Sequence, residues 1–374
     1  MFRVMQMRLP APLRTLVLAC GAAFSLLAAP AQAQERVVNV FNWSDYIDPK
    51  VLEDFTRETK IKVVYDTFDS NEVLETRLLA GKTGYDVVVP SATFLQRLAT
   101  AGVFQPLDRA KLPHLSGLSP DIMKRLATYD PGNRDAVDYM WFTTGIAYNK
   151  AKIAERIGAQ PMDTWDVIFK PELLKKLAGC GVYFLDSPED MLAIALHYLK
   201  LDPNTKNESD IRRAFALLAS VRGSVKKFHS SEYINALANG DICLAVGWAG
   251  DSFQAADRAR EAGNGVEIAY VVPREGTLMS FDTLAIPKDA PHVDEAHAFI
   301  DYLMRPEVAA RNTLVTHFAN PVTAATPLLQ KDVSGNPSIY PDAATMARLF
   351  TVAPRDQAIQ KIVTREWTRL KSGR

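Results

Sequence analysis

Asn42-Trp43-Ser44-Asp45-Tyr46-Ile47 sets an indole, a hydroxyl, a carboxylate and a phenol at four consecutive positions. That combination suits a cation, because aromatic faces attract an ammonium through the ring quadrupole and a carboxylate balances its charge. A related set returns about two hundred residues later as Trp248-Ala249-Gly250-Asp251. The two stretches read as opposite walls of one amine-binding cleft. Ordinary core packing is the competing explanation for either Trp alone. An Asp close behind each one weakens it, since a buried carboxylate needs a partner.

The elements that must carry these residues follow from the hydrophobic pattern. Val37–Phe41 reads as a short buried strand and Ile61–Phe68 and Tyr85–Val89 as the next two strands, and helices are expected from Pro49 to about Thr59, after an Asp69-x-x-Glu72 capping box, and over Ala92–Ala101. Strand and helix alternate with short connections, the pattern of an α/β protein whose mostly parallel sheet is covered on both faces. Ligands bind such sheets at the carboxyl ends of the strands, where Trp43, the Asp69-Ser70-Asn71 turn and Ser91 fall. A Ser at such a position serves equally well as a helix cap. Residues 138–149 read as one long strand passing between two lobes. Beyond it, helices are expected over Pro171–Leu177, Pro188–Leu199 and Ser209–Val221, with strands over Gly181–Leu185, Ile242–Trp248 and Leu278–Ile286. A helical end from Pro306 to Trp367 is expected to close the second lobe.

The chain has 374 residues, 43 basic and 43 acidic, with 48% hydrophobic and 23% charged composition. That length suits two lobes, and the charge balance gives no footprint for nucleic acid. Arg3, Arg8 and Arg14, the apolar run Leu16–Leu27 and Ala31-Gln32-Ala33 have the form of a signal peptide over residues 1–33, and the apolar run is too short and interrupted to span a bilayer. An exported protein with its signal cleaved after about Ala33 is expected. Export leaves Cys180 and Cys243, which are either bridged or two buried thiols; neither has the spacing of a redox motif. A bridge would close a loop of about sixty residues.

Catalytic motifs fare poorly. Gly81-Lys82-Thr83 lacks the earlier glycine of a phosphate loop and ends a helix instead of opening one. The six His have no metal-ligand spacing, and no cofactor is implied. Asp45, Asp251 and Asp282 match a glycosidase pair by residue type only, with no other catalytic signature beside them, so no enzyme is expected.

Over essentially the whole mature chain the sequence resembles the periplasmic polyamine-binding proteins of ABC importers, and within them the putrescine branch. The likeness rests on NWSDYI (42–47), VVYDTFDSNEVLE (63–75), VVPSATFL (88–95), AGVFQPLD (101–108), FHSSEYINALANGDICLAVGWAGD (228–251) and the tail WTRLKSG. It implies a two-lobe type II solute-binding fold with two crossover strands, lobe 1 comprising 34–140 with about 252–306 and lobe 2 about 141–251 with 307–374. Trp43 and Trp248 match aromatic walls for the amine's carbon chain. Ser44, Asp45, Tyr46, Ser91 and Ser230 match polar positions around the ammonium groups, and Asp251 and Asp282 the balancing carboxylates. Cys180 and Cys243 match the family's disulfide.

Three positions depart from the branch: Asp190 replaces a Glu, Ser280 an aromatic, and Phe318 a Tyr. Losing a ring at 280 opens space for spermidine, agmatine or another longer amine. The resemblance implies a monomer that delivers putrescine or a relative to an inner-membrane ABC permease; a polyamine-sensing receptor docking on a membrane signalling partner is the alternative of another class.

Overall fold

The computed structural model describes residues 36–373. The signal peptide expected over 1–33 lies outside them, and no helix among the described residues is long and apolar enough to cross a membrane.

Strand β1 (Val37–Trp43) pairs in parallel with β2 (Lys62–Phe68) on one side and β3 (Val87–Val88) on the other. Parallel neighbours need crossover connections, and helices Pro49–Thr59 and Asn71–Ala80 supply them. Asp48 caps the first, accepting from the Lys50 N–H at 2.9 Å, with Pro49 at the first helical position. The second starts one residue later than its expected capping box: Ser70, not Asp69, is the cap, accepting from the Val73 N–H at 3.3 Å. The serine competes for the same role with a shorter side chain that reaches the third amide directly.

The long strand β4 (Ala136–Asn149) organises the molecule. Fourteen residues extend roughly 46 Å at about 3.3 Å each, enough to serve two sheets. Its first half pairs antiparallel with β9 (Met279–Ala285), from Ala136↔Ala285 to Thr143↔Met279, and β9 joins β3. Its second half pairs with β7 (Leu244–Trp248) on one side and β8 (Ile268–Val271) on the other. Beyond β7, in parallel, lie β5 (Val182–Phe184) and β6 (Lys227–Phe228). The strand order is β2-β1-β3-β9-β4-β7-β5-β6, with β8 beside β4. This is a two-lobe fold of mostly parallel half-sheets joined by two crossovers, β4 and the run from β8 into β9. A third passage, not a strand, follows Phe350, whose N–H donates to the Thr277 carbonyl and whose carbonyl accepts from the Met279 N–H.

Two hydrophobic cores define the lobes. Val40, Phe55, Leu95, Met140 and Phe299 are buried in the first; Ile146, Trp165, Leu196, Tyr233 and Val246 in the second. The expected division is corrected in two stretches. Ala255, Ala259 and Tyr270 pack in the second core, while Val308 through Leu349 pack in the first. The helix Ala249–Ala262 links β7 to β8 and covers the sheet it connects. The helix Pro306–Thr316 is tied to the first lobe, Arg311 pairing with Asp48 and Asp54. Only the last helix, Gln357–Ser372, returns to the second core, through Ile359, Val363, Trp367 and Leu370. Between 317 and 356 only short helical pieces remain, Thr323–Leu328, Lys331–Ser334 and Ala343–Met346, in otherwise irregular chain, so the helical end expected there is also corrected; Pro321, Pro327, Pro337 and Pro341 break up the stretch. Cys180 and Cys243, each just ahead of a strand of the parallel pair β5–β7, form a disulfide with Cα atoms 5.5 Å apart.

Candidate binding cleft

The strand ends converge on a cleft between the lobes. Trp43 and Ser44 close β1, Asp69 follows β2, Ser91 follows β3, Ser230 follows β6, and Trp248 ends β7 with Asp251 in the next turn; all line the cleft with Tyr46, Asp282 and Phe318. Ser280 and Asp190 line its adjoining end.

Aromatic rings form a collar. Trp43 and Trp248, one from each lobe, meet edge to face with centroids 5.9 Å apart. Phe142 stands 6.0 Å from Trp248 and 5.1 Å from Phe318, and Phe318 stands 4.7 Å from Tyr46, each pair near perpendicular. These arrangements bring ring edges against π faces and leave other faces to a ligand. Trp43 is held by its indole N–H, which donates to the Val89 carbonyl at 3.0 Å. Gly250 makes room for Phe318: a Cβ there would lie 2.1 Å from Phe318 Cδ2.

Two buried carboxylates, Asp282 and Asp251, face the cleft from opposite lobes. Asp282, on β9, accepts from Ser91 Oγ at 2.5 Å, and Ser91 accepts from Asn71 Nδ2 at 2.9 Å. The Tyr46 hydroxyl faces the same carboxylate but is buried without a well-formed hydrogen bond. Asp251, on the second lobe, accepts from the Tyr233 hydroxyl at 2.7 Å, and that hydroxyl also receives the Trp248 N–H at 3.0 Å. Burial pushes Asp251 and Asp282 up to about 7, against the lowering effect of these hydroxyl donors. A cation in the cleft would favour their ionised forms. Among the described residues no cluster of His, Cys, Asp and Glu is arranged to hold a metal.

Asp190 has its own partners. It accepts from Thr144 Oγ1 at 2.6 Å, from Trp248 Nε1 at 3.2 Å and from Ser187 Oγ. The shorter side chain therefore orients the Trp248 indole as well as lining the cleft. Ser280 sits opposite Phe142 in the β4–β9 register. Asp45 departs from expectation: it takes a left-handed backbone (φ 56°), its side chain is 44% exposed, and it pairs with Arg258 at 2.9 Å instead of lining the cleft with Trp43 and Tyr46.

Sequence reasoning missed Phe142, in the middle of β4, where nothing marks one ring of the run Tyr139-Met140-Trp141-Phe142 as a ligand wall. It also missed Glu189, which lines the cleft beside Asp190, accepts from Thr93 Oγ1 of the other lobe at 2.8 Å and is pushed up to about 7 by burial, the Arg355 charge opposing. The adjacent acids at 189 and 190, just inside a helix start, were its only signal.

Residues 50–340 match the model of the bacterial extracellular solute-binding protein family. The chain is 50% identical over 359 residues to the putrescine-binding periplasmic protein PotF of Escherichia coli, covering 96% of this chain and 97% of that one. It is 42% identical over 362 residues to a putrescine/agmatine-binding protein of Pseudomonas aeruginosa, covering 95% and 99%. Among solved structures, a spermidine/putrescine ABC transporter protein from Listeria monocytogenes superposes with a TM-score of 0.81 at 31% identity, over 91% of this chain and all of that one. With its two cores, its crossover strands and a cleft built from strand ends of both lobes, the chain belongs to the bacterial extracellular solute-binding proteins.

Proposed function

We propose that this protein captures putrescine in the interlobe cleft and delivers it to an inner-membrane ABC permease. The observation that carries the reading is a pair of buried carboxylates from opposite lobes, Asp251 and Asp282, beside a collar of Trp43, Trp248, Phe142 and Phe318. A diamine at neutral pH carries about two positive charges separated by an apolar chain. In this reading the ammonium groups are balanced by the two aspartates and by the hydroxyls of Ser44, Ser91 and Ser230, while the methylenes lie against the rings. Because the carboxylates come from different lobes, a dication favours closure, and the closed shape is what a permease distinguishes. An amino acid brings a carboxylate of its own, which this acidic cleft repels. No chemistry is done on the ligand. Asp190 and Ser280 bound the far end of the cleft, and Phe318 acts through its ring. The protein works as an exported periplasmic monomer, its signal peptide cleaved after about Ala33. Relatives named for putrescine at 50% and 42% identity support the ligand class.

Calorimetric titration of the mature, ligand-free protein with putrescine, cadaverine, spermidine and agmatine tests this reading. Tight putrescine binding with weaker spermidine binding is expected. Absence of putrescine binding, or clear preference for a longer amine, would overturn it. Transport is checked separately by labelled putrescine uptake in a deletion strain, where unchanged uptake would count against delivery to a permease.

A further inference from the structure

Behind the Asp282 wall, inside the first core, lies a small cavity lined by Asp138, Met140, Leu284, Asn312 and Asn320 among others. It offers about 10 Å³ to the centre of a water molecule, room for a single one. Three buried polar atoms around it have no hydrogen-bond partner: both carboxyl oxygens of Asp138 and Nδ2 of Asn312. Asp138 is 1% exposed and Asn312 is fully buried. The Asn312 amide is oriented by its other end, since Oδ1 accepts from the Asp48 N–H at 3.0 Å, so Nδ2 is a donor left over. Asn320 is already used, donating to Thr313 Oγ1 at 2.8 Å and accepting from the Val322 N–H at 2.9 Å.

The backbone explains how Asp138 comes to be there. Register between β4 and β9 slips between Asp138, opposite Thr283, and Met140, opposite Asp282. The bulged residue Tyr139 donates its hydroxyl to the Tyr46 carbonyl at 2.8 Å, and Asp138 lines the cavity. Bulges of this kind re-aim side chains. No Lys or Arg lines the space, and the nearby Asp282 carboxylate adds to burial in pushing the Asp138 carboxyl well above the usual range. A bare buried donor facing a bare buried carboxyl across a gap of one water is the situation that ordered internal water resolves.

We propose that this cavity is a single-water site, in which Asn312 and Asp138, held as a neutral carboxylic acid, grip one ordered water behind the ligand-facing wall of Asp282. The water accepts from Asn312 Nδ2 and donates to the Asp138 carbonyl oxygen. Keeping Asp138 neutral leaves no second negative charge directly behind Asp282 in the first-lobe wall. That consequence rests on the proposed role of Asp282; the water site itself does not.

Two measurements on the mature protein test it, neither using putrescine. A crystal structure fine enough to define waters is expected to show one peak within hydrogen-bond reach of both Asp138 and Asn312 Nδ2; an empty cavity overturns the site. An infrared difference spectrum between the parent and Asp138→Asn, taken near pH 8.5, above the titration at about 7 of Asp251, Asp282 and Glu189, isolates the remaining acid. A protonated carboxyl C=O band present in the parent and lost in the variant is expected. A carboxylate band lost in its place overturns the neutral acid. Failure to bind putrescine would sink the functional reading and leave both results standing.

Discussion

The carboxylate of Asp45, just beyond β1 in the first lobe, meets the guanidinium of Arg258, on the helix Ala249–Ala262 of the second, at 2.9 Å. The pair bridges the lobes outside the collar, so it acts on closure without touching a ligand in the cleft. Arg258→Ala is expected to weaken putrescine binding by about two- to fivefold, the scale of an exposed ion pair. The change should appear as faster release and shrink at high salt. Stopped-flow release rates check it; an unchanged rate at low salt would remove the pair from the closing mechanism.

Asp251 is the second lobe's buried counter-charge, held by Tyr233. Asp251→Ala should reduce putrescine affinity about thirtyfold or more, because truncating one partner of a buried charge pair costs about 2–5 kcal/mol. The fold should survive, as the change removes the acceptor of the Tyr233 hydroxyl and no apolar core side chain. Calorimetry beside a thermal melt separates the two effects. Parent-like binding by a folded variant would refute the site.

Acid affects the empty and loaded cleft oppositely. Burial raises Asp251, Asp282 and Glu189 to about 7, against about 4 in an unfolded chain. The folded form then holds extra protons between these values, so their contribution to stability is present below about pH 4 and is lost as pH rises to about 7. An ammonium favours the ionised carboxylates, so putrescine affinity should rise over the same window, with protons released on binding. Titration near pH 6 in buffers of different ionisation enthalpy measures that release, and none detected would contradict the coupling.

Ser280 leaves the wall opposite Phe142 without a ring. Ser280→Phe should tighten putrescine binding by roughly two- to thirtyfold, the range for a ring over a desolvated cation. It should also weaken spermidine relative to putrescine by filling the far end. Competition titration of the two amines reads both; equal gains for each would show that residue 280 does not limit ligand length.

The Cys180–Cys243 bridge spans a sequence separation of 63. A loop of that size constrains the unfolded chain by roughly 4 kcal/mol in the chain-entropy model. Replacing both cysteines with Ser is expected to lower the melting temperature by several degrees while leaving putrescine affinity near the parent's, since neither Cys lines the cleft. A melt of the double variant checks it, and an unchanged midpoint would remove the bridge from the stability of the second lobe.

Much of the cleft was legible in the chain because topology does part of the work. In a parallel α/β sheet every strand end falls on one edge, so Trp43, Ser91 and Trp248 were bound to converge once their strands were recognised. Buried acids advertise themselves too, since Asp251 and Asp282 sit in apolar surroundings that only a partner justifies. Lobe membership was not legible: local pattern does not say which sheet a helix between 249 and 316 covers, and that choice is made by long-range contacts such as Arg311 with Asp48. Asp45 looked like its neighbours in NWSDYI until a left-handed backbone turned it out to Arg258. The titration of Asp251, Asp282 and Glu189 is likewise tertiary. Residue type gives a carboxyl its ordinary affinity for a proton, and only the closing of two lobes around it supplies the burial that changes it.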